Sequence, residues 1–271
     1  MNKDFLFWDE NEQPLDRIVT DGGYCGIFRT IACVGDSLSS GEFEGTAADG
    51  STTYHDLFDY SWGQYLARMC GSKAYNFSRG GMTASEYCNN FAEANGFWDP
   101  SLAAQAYILA LGVNDVINQK QPIGNIDDIC FEDYTQNAPT FAGYYARIIQ
   151  HYKQIQPDAK FFLMTMPTLA PDPDSPRFTS DYYDLFDQHA ALLTKFTEVF
   201  DNCYLLDLRR YGPDYTTPDF LNRFFLGGHL NACGYLLTAQ MVASYIDYII
   251  RHNMEDFKQI GFVGTPFRNT L

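Results

Sequence analysis

Four short segments of this chain contain residue types that can act together in ester cleavage. They are Gly35-Asp36-Ser37-Leu38, Gly80-Gly81-Met82-Thr83, Gly112-Val113-Asn114-Asp115 and His229-Leu230-Asn231. Ser37 is a candidate nucleophile, a glycine amide and the Asn114 side chain are candidate donors to an oxyanion, and His229 is a candidate base. The set predicts acyl transfer.

Each segment falls just after a strand-like run or just before a helix-like one. Ser37 would begin a helix, with its hydroxyl exposed and its amide aimed at a developing negative charge. A serine at such a position is otherwise most often a helix N-cap. Gly81 allows a carbonyl to approach its amide closely, but Gly80 has the same property, and both also suit a plain turn. Asn114 offers two amide donors and has an Asx turn as its ordinary explanation.

The elements that would position these residues alternate between strands and helices. Apolar runs typical of strands buried on both faces occur at 30–34, 74–77, 106–111, 160–165 and 203–207. We therefore expect an α/β fold in which helices cover both faces of a doubly wound, mostly parallel sheet of five strands. His229 would lie on a loop before the last helix, from which its ring could reach the end of the first strand.

Two helices are indicated most clearly. Apolar residues from Phe141 to Tyr152 recur at helical spacing, with Pro139 expected in the first turn and Pro157 as the stop. Asn231 is expected to cap the last helix. The predicted buried positions of that helix are Tyr235, Leu236, Val242, Tyr245, Ile246 and Ile249. We expect the other histidines to be solvated or capping (His151, His189, His252) or solvent-exposed (His55).

Three stretches lie outside this regular pattern, at 39–60, 116–137 and 168–180. Loops at the carboxyl edge of an open α/β sheet surround the ligand, so we interpret these stretches as substrate-shaping loops, with ordinary surface connections as the alternative. The chain begins with a further segment, 1–28, in which Phe5 to Trp8 would pack as an extra strand or clasp. A single domain over 1–271 is expected, since no linker or repeat divides it.

Composition narrows the choice of partners. A net charge of -16 disfavours nucleic acid and anionic membrane surfaces and favours neutral substrates. No segment approaches the length of a membrane span, and the amino terminus has no basic leader, which predicts a soluble, cytoplasmic chain. The seven cysteines are scattered without a Cys-x-x-Cys pair, so reduced thiols are expected. No paired ligands suggest a metal, and neither a Walker loop nor a Gly-x-Gly-x-x-Gly sequence suggests a nucleotide; no cofactor is expected.

The segment Ile31 to Leu38, followed in order by Gly81, Asn114 and His229, resembles the SGNH hydrolases, also called GDSL-type esterases and lipases. The resemblance runs from about Thr30 to Ile250 and implies a flavodoxin-like three-layer sandwich. It implies Ser37 and His229 as catalytic residues and Ser37, Gly81 and Asn114 as the oxyanion hole. The family spacing of Asn, Gly-x-Thr matches Asn76, Gly81 and Thr83, which favours Gly81 over Gly80.

The sequence departs from the family at one position. Family members usually carry an Asp three residues before the His, and here that position is Leu226. An apolar side chain cannot orient an imidazole. The backbone carbonyl of Leu226 or a neighbour is one candidate for this task, and the carboxylates of Asp207, Asp214 and Asp219 are others.

The resemblance leaves the substrate open. We expect a short-chain acyl ester, such as an acetylated carbohydrate, because an acidic surface disfavours acyl-CoA and phospholipid interfaces while aromatic and acidic loops suit sugar hydroxyls. A lipase or thioesterase acting on longer chains is the first alternative. A non-catalytic carbohydrate-binding relative is the second, motivated by the missing Asp. The sequence does not determine the oligomeric state.

Overall fold

The structure is a computed structural model that describes residue 9 and residues 11–167 and 181–270. The proposed clasp at Phe5 to Trp8 and the loop at 168–180 lie outside the described residues. Five parallel strands form the central sheet in the order β4-β1-β5-β6-β7. Their bounds are β1 Thr30–Gly35, β4 Lys73–Asn76, β5 Ala106–Ala110, β6 Lys160–Met164 and β7 Cys203–Leu206.

Two hairpins stand outside this sheet. The first pairs β2 (Glu42–Thr46) with β3 (Thr52–Asp56), and the second pairs β8 (Phe225–Leu226) with β9 (His229–Leu230). The first hairpin occupies most of the stretch 39–60 that we interpreted as a substrate-shaping loop. It begins two residues after the short helix α1 (Ser37–Ser40).

The helices are of very different lengths. The long ones are α2 (Trp62–Cys70), α5 (Phe141–Ile155), α6 (Asp181–Val199) and α9 (Ala232–His252). The short ones are α1 (Ser37–Ser40), α3 (Ala84–Glu86), α4 (Ala92–Ala94), α7 (Leu208–Tyr211), α8 (Pro218–Phe224) and α10 (Met254–Phe257). None of the described helices is long and apolar enough to span a membrane.

Alternating strand residues supply two cores, one on each face of the sheet. Ala32 and Val34 pack with α5 and α6, whereas Ile31 and Cys33 pack with α2 and α9. Burial on both faces is the reason these strands are apolar without interruption. The predicted α/β class, five-stranded parallel sheet and three layers are confirmed.

The two predicted helices need small corrections. Thr140 caps α5 by accepting a hydrogen bond from the Gly143 amide, so Pro139 precedes the helix and is not in its first turn. Asn231 caps α9 as predicted, accepting from the Gly234 amide at 3.0 Å. Leu236 is 38% exposed and not buried, because the buried stripe of α9 passes through its neighbour Tyr235.

The amino-terminal segment packs along α9. The Val19 amide donates to Ser244 Oγ at 2.9 Å, the Tyr24 amide donates to Asp247 Oδ1 at 2.8 Å, and Arg251 pairs with Glu12. These contacts support our proposal that the chain forms one domain with an amino-terminal extension packed on it.

Candidate active site

Three of the four motif segments follow neighbouring strands of the central sheet. Ser37 follows β1, Gly81 follows β4 and Asn114 follows β5. The chain builds the sheet outward from β1, first to β4 on one side and then to β5 on the other. This reversal opens a crevice at the carboxyl ends of β1 and β5, which is where ligands bind in sheets of this kind.

Ser37 is the first residue of α1, and Asp36 is its cap. Asp36 Oδ1 accepts a hydrogen bond from the Leu38 amide at 3.1 Å. Burial raises the pKa of Asp36 to about 6, with the Leu38 amide and nearby His229 opposing the rise. Ser37 is partly exposed, and its own amide has no acceptor among the described contacts. That amide is available to an oxyanion.

The two glycines after β4 differ in what their amides contact. The Gly80 amide faces Asp56 Oδ2 at 3.4 Å. Gly81 is exposed, with φ of 72°, and within the described part of the chain its amide has no acceptor. Between the two candidates, this difference favours Gly81 as the oxyanion donor.

Asn114 lies in a π-helical turn, Val113–Asn118, a distortion frequent at functional sites. Asn118 Nδ2 donates to Asn114 Oδ1 at 2.7 Å, which fixes the direction of the Asn114 amide. Asn114 Nδ2 then donates to the carbonyl of Met82 at 3.2 Å. Because an amide nitrogen carries two hydrogens, one remains for a ligand beside Gly81.

A second hydrogen bond joins the Gly81 loop to the Asn114 turn inside the protein. Asp115 is fully buried, and its Oδ1 accepts from the Ala84 amide at 2.8 Å. Its Oδ2 is buried and has no hydrogen-bond partner among the described residues, and burial raises the pKa of the carboxyl to about 7. Asp115 therefore ties the loop carrying Gly81 to the turn carrying Asn114.

The expectation that His189 is solvated or capping is wrong. The side chain is fully buried under the Asn114 turn. Its Nε2 donates to the carbonyl of Leu111 at 3.1 Å, and burial lowers its pKa to about 4, so the ring is neutral near pH 7. A Cβ at Gly112, where φ is 148°, would lie 2.6 Å from Nε2. The glycine is needed for this close packing.

His229 stands on β9 between two glutamates of β2. Its Nδ1 lies 2.8 Å from Glu44 Oε1, and its Nε2 lies 3.0 Å from Glu42 Oε1. Glu44 Oε1 is also 2.8 Å from the Gly228 amide, which donates to it. All three side chains are largely buried, at 13% to 18% exposure. No described hydrogen bond joins Nε2 to Ser37, although α1 and β9 are in contact.

The spacing of the two glutamates explains why both reach one ring. Residues two apart in a strand point to the same face, so Glu42 and Glu44 project together from β2. Room for Glu44 comes from Gly227, where φ is 70° and a Cβ would overlap the Glu44 carboxylate. A Glu-x-Glu pattern after α1 and a Gly-Gly pair before the histidine were therefore the available sequence signals.

Three acidic side chains lie in and around the site of this ring. Burial raises the pKa of Glu42; His229 opposes the rise, and Asp56 and Glu44 add to it. Asp56 is directly opposite Glu42 in the hairpin and accepts a short hydrogen bond from Ser40. The carbonyl of Glu42 accepts from Tyr235 Oη at 2.6 Å, which fastens the hairpin to α9.

The family model for the GDSL-like lipase/acylhydrolase family matches residues 33–237 of this chain. The chain belongs to that family. Family membership makes it an ester hydrolase and confirms the resemblance seen in the sequence. None of the curated proteins matches the chain.

Several solved structures share the fold of this chain. A carbohydrate acetylesterase from Sinorhizobium meliloti is 17% identical with a TM-score of 0.56, over 82% of this chain and 99% of that one. A possible lipase from Chitinophaga pinensis is 18% identical with a TM-score of 0.51, over 82% and 98%. A Corynascus thermopiles carbohydrate esterase of family 2 with a carbohydrate-binding domain is 15% identical, with a TM-score of 0.51, over 82% and 66%.

The residues that we considered as orienting groups for His229 contact other partners in this GDSL-family chain. Asp207 caps α7 and faces Thr165, Asp214 accepts from Thr216, and Asp219 pairs with Arg223. Leu226 pairs with His229 across the β8–β9 hairpin, but the Nδ1 partner is Glu44. Sequence spacing pointed to groups near His229 in the chain, whereas the carboxylate comes from 185 residues away.

The remaining histidines lie away from this site. His55 is exposed beside Thr53, His252 contacts the carbonyl of Tyr248, and His151 stacks on Trp98. Among the described residues, no group of His, Cys, Asp or Glu is arranged to hold a metal ion. Two cavities, of about 560 and 590 Å³, lie elsewhere on the protein, and no residue of the four motif segments lines either of them. The first adjoins Lys160, at the opposite edge of the sheet from Ser37.

Proposed function

We propose that this GDSL-family esterase removes short acyl groups from carbohydrate esters, with Ser37 as nucleophile and His229 as base. The observation that carries the proposal is the set of oxyanion donors. The amides of Ser37 and Gly81 have no acceptor in the described chain, and the Asn114 amide is held beside Gly81 by its bond to Met82. Donors fixed before the reaction stabilise developing charge without reorganisation.

The reaction proceeds in two steps. His229 Nε2 takes the proton of Ser37 Oγ as Oγ bonds to the ester carbon, and the carbonyl oxygen becomes an oxyanion held by Ser37, Gly81 and Asn114. His229 returns the proton to the leaving alcohol oxygen as the carbon–oxygen bond breaks. Water then attacks the acyl-Ser37 ester with the same base, which releases the acid and restores the serine.

Glu44 takes the place of the missing triad aspartate in this proposal. A carboxylate on Nδ1 fixes the tautomer that leaves Nε2 as the base and stabilises the imidazolium that forms. Nε2 faces Glu42 in this structure, so the ring or the Glu42 side chain must turn before Nε2 reaches Ser37. Catalytic hydrogen bonds often tighten only when substrate is bound.

The surroundings of His229 support a carbohydrate substrate. Tyr54 lies opposite Glu44 in the first hairpin, is 59% exposed, and places its ring edge-on 5.9 Å from the His229 ring. An exposed ring beside carboxylates offers a sugar both an apolar surface and acceptors for hydroxyl groups. One protein of similar fold is described as a carbohydrate acetylesterase, which agrees with this reading.

Acetate release from acetylated xylo-oligosaccharides tests the proposal, with a fluorophosphonate probe reporting the nucleophile. We expect wild-type protein to release acetate and to be labelled on Ser37. Ser37→Ala should lose roughly 10³-fold or more in turnover and all labelling, with an unchanged melting temperature. Hydrolysis of p-nitrophenyl palmitate in preference to acetylated sugar would favour a lipase. A folded Ser37→Ala protein with normal turnover would refute the site.

A further inference from the structure

A small, mostly apolar cavity lies beside the segment that carries Ser37, with the flanking residues Asp36 and Leu38 in its lining. It has a volume of about 40 Å³, and its walls come from the ends of β1, β5 and β6. Apolar lining residues include Leu38, Leu111, Val113, Met164 and Met166. Asp36 and Leu38 flank the nucleophile, and Val113 precedes the oxyanion donor Asn114. The cavity thus adjoins both parts of the reacting site.

The chemistry of the proposed reaction determines which group can enter this cavity. The tetrahedral carbon on Ser37 Oγ carries an oxyanion, a leaving alcohol and an acyl chain. The leaving oxygen must face His229, which donates its proton. His229 approaches from the β4 side, because its neighbour Glu42 lies against Gly80 after β4. The acyl chain therefore points the other way, toward β5 and β6.

The volume limits the length of that chain. A group the size of a water molecule needs roughly 10 to 15 Å³ of cavity volume. A cavity of about 40 Å³ therefore accepts about three groups of that size. The buried Met166 closes the cavity near Gly112, where a Cβ would lie 3.2 Å from its sulfur. A chain that stays inside the cavity cannot be longer than this unless the Met166 side chain is displaced.

We infer that this cavity binds the acyl group and restricts it to chains of two to about four carbons. The inference rests on the proposed function and adds the residues that set acyl length. Long-chain lipase or thioesterase activity is incompatible with it. Each further methylene that is buried should raise kcat/KM about fourfold. A methylene that clashes with the cavity wall should lower it.

The test measures kcat/KM for p-nitrophenyl acetate, butyrate and octanoate. We expect wild type to lose at least about tenfold from butyrate to octanoate. Met166→Ala, which enlarges the cavity, should reduce that loss about tenfold, and Ala110→Val, which fills it, should lower butyrate relative to acetate. Met241→Ala is the matched control, because Met241 is also buried but does not line the cavity. Its ratios should equal those of wild type.

Ratios between substrates separate acyl selection from general loss of activity. Equal wild-type rates on acetate and octanoate would overturn the inference, as would unchanged ratios in both cavity variants. If Met166→Ala does not fold, Ala110→Val decides the question alone. If Ser37 is labelled and acetate is turned over, but the kcat/KM ratios do not change in the cavity variants, only the role of the acyl cavity is refuted. Absence of both labelling and turnover would refute the proposed function as well.

Discussion

The two sides of the candidate site are held in place in different ways. Ser37, Gly81 and Asn114 follow strands of one parallel sheet, and hydrogen bonds of Asn114 and Asp115 join the loops of Gly81 and Asn114. His229 and its two glutamates lie instead on two small hairpins outside the sheet. The first side is held by a packed core, and the second by ionisable side chains.

Because of this difference, the two sides should respond differently to pH and to substitution. Packed strand ends keep backbone donors in place whatever the pH. The orientation of His229, the proposed base, depends on the charge of its neighbours, because its ring lies between the carboxyl groups of Glu42 and Glu44, and burial raises the pKa of Glu42. We therefore expect substitutions on the hairpins to change orientation of the base, and those on the sheet edge to change transition-state binding.

The largest expected effect separates the two glutamates. Glu44→Gln should lower kcat roughly 10³-fold or more, because an amide on Nδ1 can hold the wrong tautomer of His229. Glu42→Gln is the matched control on the same strand and should stay within about tenfold, since in the proposed mechanism Nε2 separates from Glu42 before it takes the proton of Ser37. Steady-state kinetics on p-nitrophenyl acetate measure both.

The three aspartates that the sequence offered as orienting groups provide a second set of variants for comparison with Glu44→Gln. Asp207→Asn, Asp214→Asn and Asp219→Asn should each keep activity within about tenfold, whereas His229→Ala should cost as much as Ser37→Ala. A loss of several thousandfold in one aspartate variant, with Glu44→Gln active, would assign the orienting role to that residue. Equal losses for both glutamates would mean that they act as one unit.

The same contrast explains how much the sequence could predict. The strands, α5 and the cap of α9 follow from local patterns of burial and capping, so they were predictable to within a few residues. Ser37, Gly81 and Asn114 follow strands, and their order matched a known family. Glu44 was not predictable in this way, because its contact with His229 joins two hairpins far apart in the chain. The burial of His189 depends likewise on packing beneath Gly112.

An intermediate effect is expected on the sheet side. Asn114→Ala should lower kcat by roughly 10² to 10³ with KM nearly unchanged, because the donor strengthens its bond only as charge develops on the substrate. Michaelis–Menten kinetics on a short-chain ester test this. Asn118→Ala is a useful companion, since it frees the Asn114 amide to rotate and should cost less. A change confined to KM would make Asn114 a ground-state binding residue.

The smallest effect concerns Asp115, whose contribution should appear in stability more than in turnover. Asp115→Asn keeps an oxygen for the Ala84 amide, so kcat should stay within a few-fold of wild type. Burial raises the pKa of Asp115 to about 7, against about 3.9 in an unfolded chain. The folded state therefore binds this proton more tightly, and the resulting stability is complete below about pH 4 and lost as the pH rises to about 7.

Asparagine does not titrate. The stability of the variant relative to wild type should therefore rise between about pH 4 and pH 7 and stay constant above that range. The whole span corresponds to at most about 4 kcal/mol. Urea unfolding of both proteins at pH 5, 6, 7 and 8 measures the difference. A difference that stays constant with pH would show that Asp115 has the same protonation state folded and unfolded. Asp115 would then contribute no pH dependence to the sheet side, and only the hairpins would be expected to respond to pH.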